Sequence, residues 1–194
     1  MNPQAATLRL AVFPRSGLLV DVLLVVAGAG LVALCAQIEI PLGFTPVPIS
    51  GQTFAVLLVG ASLGPLLGAS SLLLYFCVGL LGAPVYSGGD GGWDIVHGAT
   101  GGYLVGFIVA AALTGWLAQR RWDRHFNSAV AAMLSGSVVI YLFGLPWLAK
   151  EIGTGLEGTL EAGLYPFVIG DLIKLYLAGM LLPGAWKLVK RLRA

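Results

Sequence analysis

TFAVLLVGASLGPLLGASSLLLYFCVGLLGAPV, residues 53–85, is the stretch on which the architecture turns. Read as one helix it would be roughly 50 Å long, too much for a hydrocarbon core of roughly 30 Å even when tilted. Gly64-Pro65 offers a break, because proline lacks the N–H that a helix interior needs. The stretch then becomes two short helices at about 53–64 and 66–82. The choice sets the number of crossings and the side on which every later loop falls.

Around this stretch lie four long apolar segments, at about 18–38, 100–118, 128–149 and 166–186. Each is near the roughly 20 residues that a membrane helix requires. Hydrophobic residues make up 58% of the 194-residue chain and charged residues 10%. Mean hydropathy is +0.91. A soluble domain carries roughly 25% charged residues, so the balance reads as an integral membrane protein. The expectation is an all-α bundle of six transmembrane helices forming a single membrane domain over residues 1–194. The segment from Leu18 to Ile38 is too long for a signal-peptide core and no clear cleavage site follows it, so it is taken as the first span. Cys35 and Cys77 fall in apolar runs and read as packing residues.

Charge placement supports the break. With six spans and both termini in the cytoplasm, the inner segments hold Arg9, Arg15, Arg120, Arg121, Arg124, Lys187, Lys190, Arg191 and Arg193. The outer loops hold only Lys150 among basic residues, beside Glu39, Asp90, Asp94, Glu151, Glu157 and Glu161. Merging residues 53–85 into one span would place Arg120, Arg121 and Arg124 outside, against the positive-inside bias. Multi-pass insertion in the cell membrane follows.

Two charges interrupt the last span. Asp171 and Lys174 lie three residues apart in a run that is otherwise aliphatic, aromatic or glycine. Each costs roughly 2.5–3.5 kcal/mol at a helix centre on insertion scales, so both should turn inward. Residues three apart share a helix face, so both address one volume in the outer half of the bundle. A helix beginning at Pro166, as the residue type favours, puts them in its first turns. Pro183 is expected to break or kink that helix near its inner end. Three pieces should meet the pair at the outer level. The proline-dense crossing Ile40–Gln52 brings Thr45, Ser50 and Gln52. The double-glycine loop Ser87–Trp93 leaves backbone N–H and C=O groups free. Trp147–Tyr165 reads as an acidic loop. His97 and His125 read as solvated surface residues.

Several of these segments resemble the BioY family. They are Thr45-Pro46-Val47-Pro48-Ile49-Ser50-Gly51-Gln52-Thr53, Gly82-Ala83-Pro84-Val85-Tyr86, Ala99-Thr100-Gly101-Gly102-Tyr103-Leu104-Val105-Gly106-Phe107, Gly144-Leu145-Pro146-Trp147 and Pro166-Phe167-Val168-Ile169-Gly170-Asp171-Leu172-Ile173-Lys174. The likeness runs from about residue 18 to the last helix in the family's order. Asp90 as the only charge of the double-glycine stretch, and Ala99 where proline is common, are departures from its pattern.

The resemblance implies the biotin-binding S component of an energy-coupling-factor transporter, working with a transmembrane coupling subunit and two cytoplasmic ATPase subunits. It also implies that Asp171 and Lys174 belong to the biotin site. Biotin has a ureido ring, a thioether ring and an apolar chain ending in a carboxylate. An ionised Asp171 accepts from ureido N–H groups, whereas Lys174 only donates, to the ureido carbonyl or the carboxylate. Tyr86, Trp93, Tyr103 and Tyr165 are candidate walls, with Gln52 and the backbone at Gly89 completing the substrate-binding set. Ala29 and Ala33 in the first helix are candidates for docking the coupling subunit, as the resemblance suggests.

No phosphate-binding Gly-x-x-x-x-Gly-Lys-Ser/Thr motif occurs, so ATP is expected to be used by partners and no cofactor to be bound by this chain. No metal site, catalytic residue or nucleic-acid partner is expected. Rival readings are a self-sufficient, proton-coupled biotin transporter, an S component for another vitamin, and an intramembrane enzyme. The last lacks a nucleophile–histidine or metal pattern.

Overall fold

The computed structural model describes residues 7–14 and 17–192; Arg15 and Arg193, which entered the charge count, lie outside the described residues. The chain is mostly helical. A short helix α1 (Leu8–Val12) precedes α2 (Leu18–Ala36), and Thr7 caps α1 by accepting from the Leu10 N–H at 3.5 Å. The proline-dense crossing folds into a small antiparallel hairpin, β1 (Glu39–Ile40) and β2 (Ile49–Ser50), with Glu39 opposite Ser50. Then come α3 (Gln52–Leu63), α4 (Pro65–Leu80), the short α5 (Trp93–His97) and α6 (Gly101–Gln119). The chain closes with α7 (Phe126–Ile152), α8 (Leu156–Gly163) and α9 (Val168–Leu192).

The break at Gly64-Pro65 is present, and it reverses the chain. Gly64 has φ of +89°, a conformation that only glycine adopts without strain, and Pro65 opens α4. A Cβ built on Gly68 would lie 2.9 Å from the Gly60 Cα. In a continuous helix those two residues would be about 12 Å apart along the axis. The α3–α4 hairpin is therefore closed tightly about its turn.

Helices α2, α6 and α7, and the run Leu156–Leu192 that contains α9, are long and apolar enough to cross a membrane. α6 is the central post: 67% of its most apolar window is buried, against 17% for α2, which turns Leu19, Val22, Leu23 and Leu34 outward. α6 packs on α7, α3 and α4, while α2 lies against α4 and α9 against α7.

Four boundaries differ from the sequence reading. α7 runs on to Ile152, and half of the expected acidic loop is helix α8. α9 starts at Val168, because Tyr165–Phe167 around Pro166 forms a 3-10 turn. Pro183 does not end α9, which continues to Leu192. Ala29 is buried in the core and Ala33, partly exposed, packs against it.

At the far end of the bundle from the β1–β2 hairpin, α1 lies across α9. Ala11 and Trp186 form a small buried cluster there, and Arg9 is ion-paired with Asp21 in the first turn of α2. Asp123, in the turn between α6 and α7, is fully buried and accepts from the Trp186 indole N–H. Burial pushes its carboxyl up to about 6, against the opposing pull of that hydrogen bond and of Arg124.

Candidate functional site

The first turn of α9 carries Asp171 inward, and Asp171 is buried at 8% exposure. Lys174, one turn on, donates to Asp171 Oδ1 at 3.1 Å and to Thr53 Oγ1 at 2.9 Å. Tyr141, midway along α7, donates its hydroxyl to Asp171 Oδ2. Both carboxylate oxygens are thus engaged, and one network joins α9 to α3 and α7. A buried charge pair is tolerable when further hydrogen bonds support it, as those of Thr53 and Tyr141 do here. Lys174 keeps a third N–H, and each Asp171 oxygen keeps lone-pair capacity.

Beside this network lies a cavity of about 370 Å³. That volume is in the range of small-molecule sites, roughly 300–1,000 Å³. Its buried end is apolar, with Leu104, Phe107, Ile140 and Phe167 each below 8% exposure. Its rim comes from the β1–β2 crossing, with Pro41, Pro46 and Pro48, and from the glycine loop with Asp90 and the following Asp94.

Of the residues singled out from sequence, Asp171, Lys174, Gln52, Tyr86 and Tyr103 line this cavity. Gln52 is held from two sides: its Nε2 donates to the Tyr75 hydroxyl at 2.6 Å and its Oε1 accepts from Ser50 Oγ at 2.9 Å. Tyr86 packs edge-on to Tyr75, at 5.4 Å between ring centroids, and its hydroxyl donates to the Phe76 carbonyl. Tyr103 gives the cavity its ring and sends its hydroxyl away, to the Gly163 carbonyl at 3.0 Å. Thr45 from the hairpin crossing donates to the neighbouring carbonyl of Ala162 at 2.7 Å, so the end of α8 ties cavity wall and rim together.

Gly89, Trp93 and Tyr165 stand outside the lining. Trp93 is 62% exposed and stacks on His97, and Tyr165 is 56% exposed. The Gly89 N–H closes the loop locally on the Tyr86 carbonyl. Tyr141 and Thr53 were not singled out. A phenol in mid-span needs a partner for its hydroxyl, which is a usable signal for Tyr141. Thr53 carried none beyond its place at the start of α3.

A polytopic helical membrane protein with a small-molecule cavity lined on one side by an internal charge pair is the class that this fold and site define. The chain matches the BioY family over residues 5–191 and belongs to it. It is 38% identical over 167 residues to the biotin transporter BioY of Rhizobium etli, covering 82% of this chain and 89% of the relative. It is 39% identical over 154 residues to the probable biotin transporter BioY of Pyrococcus horikoshii, covering 79% and 88%. The crystal structure of the S-component for biotin from an ECF-type ABC transporter superimposes with a TM-score of 0.76 at 26% identity, covering 87% of this chain and 92% of that one.

Proposed function

We infer that the chain captures biotin from the outer face of the cell membrane as the S component of an energy-coupling-factor transporter. The observation that carries this reading is the cavity placed against the Asp171–Lys174 pair, whose spare hydrogen-bonding capacity suits a ureido ring. The apolar buried end, with Phe107 and Ile140, suits the apolar carbons of the bicyclic rings. Membership of a family whose relatives carry the biotin transporter name supports the ligand.

In this reading α2, α3, α4, α6, α7 and α9 are the six spans, and both termini are cytoplasmic. The basic residues Arg120, Arg121, Arg124, Lys187, Lys190 and Arg191 gather at the inner ends, and the rim of the cavity faces out. A coupling subunit and two ATPase subunits supply the energy, and the exposed apolar flank of α2 is available to the former. Calorimetric titration of the purified protein with biotin, riboflavin and thiamin tests the ligand. Saturable binding of biotin alone is the expected result. Binding of another vitamin in its place, or of none, overturns the reading.

A further inference from the structure

The charges around the cavity do not balance. Its lining holds four carboxylates, those of Glu39, Asp90, Asp94 and Asp171, and one ammonium, that of Lys174. Asp171 and Lys174 neutralise one another at 3.1 Å. Glu39, Asp90 and Asp94 have no ion-pair partner among the described residues. Asp90 and Asp94 are exposed and Glu39 is half-buried, so the excess negative charge sits at the mouth. A Cβ built on Gly88 would lie 2.9 Å from Glu39 Oε1, so β1 and the glycine loop bring their acids to one rim.

A ligand whose ureido head sits at the buried pair must send its chain toward this rim. A free carboxylate at the chain's end would arrive among three like charges with no counter-ion. A cleft lined by one sign of charge focuses its field at the mouth, and like charges brought together discriminate against a partner. Joining the carboxyl to an amine as an amide removes the ligand's negative charge. An ammonium on the amine component adds an attraction. Resting on the biotin reading of the cavity, we propose that the site takes amide-linked biotin, amine-bearing conjugates included, at least as well as the free acid. Glu39, Asp90 and Asp94 set this preference.

Calorimetric titration of the full-length protein in detergent compares biotin, biotinamide and Nε-biotinyl-lysine at about 20 mM and about 500 mM sodium chloride, salt concentrations that bracket weak and strong screening. Both amides are expected to bind as tightly as biotin or more tightly. Biotin is expected to gain at least threefold in affinity at high salt, with biotinamide unmoved. A Glu39→Gln, Asp90→Asn, Asp94→Asn variant is expected to bind biotin at least threefold more tightly and biotinamide as before, the unchanged amide binding also reporting that it is folded. Biotinamide bound tenfold more weakly than biotin would place the carboxylate on Lys174 and overturn the proposal while leaving the biotin reading intact. Failure of all three ligands to bind would remove the biotin reading and the proposal with it.

Discussion

Asp171, Lys174 and Tyr141 share one network, yet each contributes something different to it. Asp171→Asn keeps the shape but turns an acceptor into a half-donor, and Lys174→Ala leaves a buried carboxylate without its counter-charge. A charge-assisted hydrogen bond contributes roughly 1.5–3 kcal/mol, so each variant should weaken biotin binding at least about tenfold while still inserting, as titration will read. Tyr141→Phe removes one neutral hydroxyl from Asp171 and should cost about 1 kcal/mol, or about fivefold, in the same titration. Asp123 governs a different property. Its folded carboxyl titrates near 6, above the ordinary value of 3.8, so the folded state holds its proton where the unfolded chain has released it. Stability should therefore fall as pH rises from about 4 to about 6 and level off above. Asp123→Asn should flatten that part of a melting-temperature profile and keep the Trp186 N–H supplied with an acceptor. The charge pair was legible in the sequence because charges in a greasy span are conspicuous. Asp123 was not, since a carboxylate among Arg121 and Arg124 in a turn reads as solvated until Trp186 is seen to cover it.

Among the elements, the α3–α4 hairpin was the most legible, because Gly64-Pro65 combines a residue free to take positive φ with one that cannot continue a helix. The long helices were visible by length and composition. Short helices α1, α5 and α8 carry too few residues for a periodic signal, and tertiary partners stabilise them: Trp186 for α1, and Tyr103 and Thr45 for α8. The tightness of the hairpin gives a direct test. Gly68→Ala places a methyl 2.9 Å from the Gly60 Cα, backbone that cannot step aside. Overpacking of that kind costs about 1–3 kcal/mol, which a lowered melting temperature in detergent should register.

For the molecule as a whole, orientation is the property on which substrate access depends. Single cysteines placed at Lys150 and at Lys190 in a background lacking Cys35 and Cys77 should behave oppositely in intact cells. A membrane-impermeant maleimide should label the first and spare the second until the membrane is opened; the reverse pattern would invert the protein. The bundle also has uneven stature. The α4 helix, with 16 residues, rises about 24 Å, whereas α7, with 27, rises about 40 Å. On the six-span reading, acyl chains beside Leu66 and Leu73 of α4 meet a shorter wall than those beside Leu134 and Leu142 of α7. The surrounding leaflets must dimple on one flank or the whole body must lean, and each distortion has an elastic cost that depends on lipid length. Bilayer thickness thereby becomes a control knob: reconstitution in short-chain and long-chain lipids will favour different postures of one polypeptide.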